Sequence, residues 1–149
     1  MSNPSVIDVA KYILETCGEM TAMKLQKLTF YVKAWELVWD EEELFKEEFQ
    51  AWSNGAVSPV LYDKHRGTFK VTPELFNDGD INKLSANQKE NIDKVIEFYG
   101  KYTAQQLSDI NHQEDPWIKA RGCLAPDDRS NSVISVADMA EYYSGILKK

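Results

Sequence analysis

Leu25, Leu28, Val32, Trp35 and Trp39 recur at alternating intervals of three and four, the period of one face of an α-helix. Tyr31, Ala34 and Val38 widen that face beyond what a single neighbour would cover. A helix so broadly apolar must be surrounded, so it is expected at the centre of a bundle. Thr21 stands where its hydroxyl can accept from the free amides of the first turn, marking the start of this helix.

The flanking segments supply its neighbours. Ser5 precedes Val6, Ile7, Ala10, Ile13, Leu14 and Cys17 at helical spacing, and Gly18 is a natural stop. Ser85 with Gln88 and Thr103 with Gln106 have capping-box spacing and open two further helices. The first carries Ile92, Val95, Ile96 and Tyr99 to Gly100; the second carries Leu107 and Ile110 until Pro116 forbids an ordinary helical interior. A last helix after Ser135 carries Val136, Met139, Ala140, Tyr143 and Leu147, following a polar loop with Pro126-Asp127-Asp128.

The middle third is different. Phe49-Gln50-Ala51-Trp52 alternates apolar and polar residues, and Ser53-Asn54-Gly55 supplies turn chemistry. Ser58-Pro59 is a cap followed by proline at the first helical position, opening a short helix that ends before Gly67. Phe69-Lys70-Val71 reads as a second extended piece able to pair with the first, with turns following at Thr72-Pro73-Glu74 and Asn77-Asp78-Gly79-Asp80. The expected fold is mainly α: a single domain over residues 1–149, a helical bundle around a long central helix with a short β-hairpin in its middle third.

A formal charge of -7 repels nucleic-acid phosphate, so direct nucleic-acid binding is not expected. The acidic run Asp40-Glu41-Glu42-Glu43 reads as a solvated face. No stretch approaches the roughly eighteen apolar residues of a membrane span, and Met1-Ser2-Asn3-Pro4-Ser5 does not open like a signal peptide. A cytoplasmic location is expected, with no membrane partner. Cys17 and Cys123 match neither a disulfide framework nor a zinc set and are expected as small core fillers.

The scarce residue types reveal no assembled chemistry. His65, within Asp63-Lys64-His65-Arg66, is expected at the surface. His112 lies in Asn111-His112-Gln113-Glu114-Asp115-Pro116-Trp117, where a general-base role oriented by Glu114 or Asp115, or a pairing with Cys17 or Cys123, can be imagined. The simpler reading is that His112 meets backbone carbonyls at a helix end while Trp117 enters the core. The glycines form no phosphate-binding run, and no cofactor, metal site or catalytic residue is expected. Trp35 and Trp39 read as core; Trp52 divides between core and interface. Lys24 and Lys27 read as a solvated face opposite the apolar stripe.

Lys24-Leu25-Gln26-Lys27-Leu28, with Phe30-Tyr31 and Ala34-Trp35, resembles the opening signature of the SocA-like, Panacea-domain antitoxins, a family that also counts phage-associated GepA-like proteins. Ala51-Trp52 with Gly55, Val57, Pro59, Leu61 and Tyr62 is similar to that family's Ala-Trp-x-x-Gly-Pro-Val-x-Pro-x-Leu-Tyr. His112, Pro116-Trp117 and Ala120-Arg121 are similar to its Thr-His-x-x-x-Pro-Trp-x-x-Ala-Arg. Ala56 departs from the proline of the first pattern and Asn111 from the threonine of the second.

The resemblance implies an antitoxin that binds and neutralises a cognate toxin by direct contact, or an adaptor that delivers it to the ClpXP protease. The motif residues outside regular helices, Trp52, Asn54, Gly55, Ser58 and Tyr62 with His112 and Trp117, are the expected partner-binding set. Two other classes compete: an enzyme using His112, and an acidic phage-type inhibitor occupying the basic groove of a nucleic-acid-handling protein.

Overall fold

A computed structural model describes residues 3–125 and 128–147. Pro126 and Asp127 of the polar loop, with the Leu147 side chain expected on the last inner stripe, lie outside the described residues.

The first helix, α1 (Val6–Cys17), begins at Ser5, whose hydroxyl and Asp8 form a reciprocal capping box, and stops at Gly18 with φ +82°. After the two-residue strand β1 (Met20–Thr21), Thr21 caps α2 (Ala22–Trp39) through the Lys24 amide. Around α2 pack α1, α4 (Ala86–Tyr99), α5 (Ala104–His112) and α7 (Val136–Leu147), so this helix is central. The capping boxes Ser85–Gln88 and Thr103–Gln106 open α4 and α5, and the Ser135 hydroxyl accepts from the Asp138 amide in α7. The fold is mainly α, and no described helix is long and apolar enough to cross a membrane.

Strands β2 (Gln50–Trp52) and β3 (Gly55–Val57) form an antiparallel hairpin in the register Gln50–Val57, Ala51–Ala56, Trp52–Gly55. The Ser58–Pro59 signal opens α3 (Pro59–His65), with the Ser58 hydroxyl accepting from the Leu61 amide. The short strand β4 (Lys70–Val71) does not join the hairpin. It pairs with β1, Met20 opposite Val71, because Gly55–Val57 reaches Gln50–Trp52 through a two-residue turn. Pro73–Phe76 and Ile81–Lys83 form 3-10 turns lying against α1.

Other expectations change. Pro116 opens a further helix, α6 (Asp115–Arg121), near whose start a missing amide hydrogen leaves no acceptor unpaired. Cys17 and Cys123 are exposed rather than core fillers. His65 is buried, its ring facing Gln26. Lys27 is fully buried because α2 is enclosed on the side the stripe left polar. Trp35 and Trp39 stack with ring centroids 5.5 Å apart and are half-buried, along an apolar cleft rather than inside the core.

Candidate functional site

The site begins with the backbone of the β2–β3 hairpin. In an antiparallel pair every second rung turns its amides and carbonyls away from the partner strand, and buried groups of this kind need other partners. At the Ala51–Ala56 rung all four are met, each from a different part of the chain. The Ala51 amide donates to Ser132 O at 2.8 Å, and the Ala56 amide donates to Asn111 Oδ1 at 2.7 Å. The Ala51 carbonyl accepts from the Arg121 guanidinium at 3.1 Å, and the Ala56 carbonyl accepts from Lys27 Nζ at 3.2 Å.

The clamp extends both ways along the hairpin. Trp117 Nε1 donates to Trp52 O at 2.9 Å, and Ser108 Oγ donates to Asn54 O at 2.6 Å. Gln26 takes both backbone polar groups of Ser58, its Oε1 accepting from Ser58 N and its Nε2 donating to Ser58 O. Gly55 sits at φ +113°, and a Cβ there would fall 2.5 Å from Lys27 Cε and 2.9 Å from Asn111 Oδ1. Only glycine fits both the backbone and the approach.

Beneath the clamp lies a buried polar cluster. Tyr31 and Tyr143 each donate to Glu114 Oε1 at 2.7 Å. Burial pushes the Glu114 carboxyl above its usual range, against the lowering effect of the tyrosine hydrogen bonds. Burial, with the nearby Glu114 charge, holds both tyrosines well above theirs. Desolvation draws the Lys27 ammonium down to about 7. His65 and His112 are also lowered, in each case first by burial.

The expected partner-binding residues divide into two layers. Trp52 and Tyr62 are half-buried, meet edge to face at 5.0 Å and line a surface cleft of about 550 Å³ with Ser53, Arg129, Ser130 and Asn131. Asn54 is exposed at the hairpin tip. Gly55, Ser58 and Trp117 are buried under that surface, and the half-buried His112 ring packs on Trp117 at 4.3 Å. The Glu114 oxygen imagined as orienting His112 faces the tyrosines instead, and both cysteines are exposed. Sequence reasoning missed Gln26, Lys27, Ser108 and Arg121 as supports of the hairpin; the signal available was that Gln26, Lys27 and Arg121 belong to the quoted motifs.

The model of the family described as antitoxin SocA-like, Panacea domain, matches residues 25–118, a span from the start of the central helix across the hairpin and Asn111 to Trp117. The chain belongs to the SocA-like, Panacea-domain antitoxin family. Its role is therefore of the antitoxin kind. No curated protein and no solved structure matches it significantly. Within this SocA-like domain, the two departures from the family pattern touch each other. Ala56 stands in place of proline and so has an amide to donate, and Asn111 stands in place of threonine and accepts it.

Proposed function

We propose that this domain neutralises a cognate toxin by direct protein contact, through the outer side of the β2–β3 hairpin and the start of α3, and that it acts by binding rather than by turnover. The reading is carried by the clamped hairpin. Buried groups from α2, α5 and α6 fix its backbone, while Trp52, Asn54 and Tyr62 remain accessible beside the cleft. Aromatic side chains held on a rigid backbone lose little entropy on binding, which favours them as interface anchors. Gly55, Ser58, His112 and Trp117 shape this surface from below rather than meeting the partner.

The test is co-expression with the product of the neighbouring gene. Wild-type chain should rescue growth and co-purify with that product, and Trp52→Ala with Tyr62→Ala should lose both while keeping the melting temperature. A double variant that still rescues and co-purifies would move the interface elsewhere. Delivery to ClpXP requires in addition that the toxin's half-life shorten when this chain is present; a toxin that stays intact in the complex leaves occlusion as the mechanism.

A further inference from the structure

Far from the hairpin, three carboxylates gather where α2 ends. Glu36 lies on the last turns of the helix, Asp40 at its C-cap and Glu42 in the turn that follows. One oxygen from each lies within 4.8 Å of the others. Along the helix axis the group is about 14–20 Å from Lys27, at 1.5 Å per residue.

Their hydrogen bonds leave the cluster open. Asn91 Nδ2 donates to Glu36 Oε1 and to Asp40 Oδ2, both at 2.8 Å, and Asn87 Nδ2 donates to Asp40 Oδ2 at 2.7 Å. Glu36 is only 1% exposed, yet its second oxygen, Oε2, is buried without any hydrogen-bond partner. A buried carboxylate oxygen left bare is costly. Among the described residues no lysine or arginine forms a salt bridge with the three; the ion pairs are Lys33–Glu43 and Lys64–Asp78. The negative end of the α2 dipole falls at the same place.

We propose that Glu36, Asp40 and Glu42 form a binding site for a hard divalent cation, Ca²⁺ in preference to Mg²⁺, that ties the end of α2 to α4. The donors are all oxygen, which excludes a preference for soft metals. Ca²⁺ accepts irregular sets of carboxylate and water oxygens, whereas Mg²⁺ demands a near-ideal octahedron and gives up its own waters reluctantly. Asn87 and Asn91 orient Glu36 and Asp40 from α4, as outer partners do around metal ligands, and water completes the coordination.

The experiment uses the whole chain after chelator treatment. Tb³⁺ is titrated with excitation through tryptophan, since Trp39 adjoins Asp40, and Ca²⁺ or Mg²⁺ then competes for the site. The expected result is saturable emission displaced by Ca²⁺ at lower concentration than by Mg²⁺, and a melting temperature raised by Ca²⁺. Glu42→Gln alters an exposed side chain and Asp40→Asn keeps an oxygen for Asn87 and Asn91, so both should fold. Each should weaken Tb³⁺ and Ca²⁺ binding by about tenfold or more. Emission that does not saturate, that Ca²⁺ does not displace, or that is unchanged in both variants would overturn the site; equal competition by Mg²⁺ would overturn the preference. Glu36→Gln that raises the melting temperature without weakening Ca²⁺ binding would also overturn the site, because Glu36 and Asp40 would then be held by a shared proton.

Discussion

Lys27 contributes a pH-dependent part of the stability of this fold. Its side chain is fully buried, its Nζ reaches the Ala56 carbonyl, and desolvation lowers its pKa from 10.5 to about 7. Between these values the unfolded chain holds a proton that the folded chain has released. Stability therefore rises with pH across that window; the Lys27 contribution is complete above about 10.5 and is lost as pH falls through 7. At 1.36 kcal/mol per pH unit the whole window is worth about 5 kcal/mol, and the part between pH 7 and 9 about 2 kcal/mol. The perturbation is Lys27→Met, close in volume and unable to titrate. Urea midpoints for wild type and variant at pH 7 and pH 9 isolate the term, because every other group titrates in both proteins. Wild type should gain about 2 kcal/mol on the variant over that range. Profiles that run parallel to within about 0.5 kcal/mol would show that Lys27 keeps an ordinary affinity for its proton in the fold, and its desolvated position would have to be abandoned.

Four further outcomes are expected. Ala56→Pro alone and Asn111→Thr alone should each cost about 1–3 kcal/mol, by orphaning Asn111 Oδ1 or the Ala56 amide, whereas the double variant should cost less than their sum in thermal denaturation. Gly55→Ala should lower stability by about 3 kcal/mol, since its methyl group meets Lys27 and Asn111 in a left-handed backbone; a neutral result in urea unfolding would contradict the close approach. Trp117→Ala should cost about 3–5 kcal/mol in the same assay, while the half-exposed Trp52→Ala leaves the midpoint nearly unchanged. On acidification the melting temperature should drop below pH 6.5, because the folded His65 binds its proton more weakly than the unfolded one; its Nε2 already faces the Gln26 amide nitrogen at 2.9 Å, and His65→Gln should flatten that limb.

The sequence by itself determined where helices begin and end and which face of each turns inward. Ser5, Thr21, Ser58, Ser85 and Thr103 satisfy amides three residues ahead, and Leu25, Leu28 and Val32 repeat within one helix; such signals are local and need no knowledge of the rest of the chain. The order of the motif blocks was also readable, and with it the family. What only the tertiary structure decided was the choice among distant partners. Lys70–Val71 reached Met20–Thr21 rather than the hairpin, and Pro116 opened a helix instead of ending one. Polarity suggested solvent for Lys27 and His65, but α2 is enclosed on every side from Leu25 to Ala34, and His65 packs against it. A lysine amino group enters such a core because a carbonyl from a hairpin some thirty residues away stands ready to accept from it, and no local pattern records that meeting.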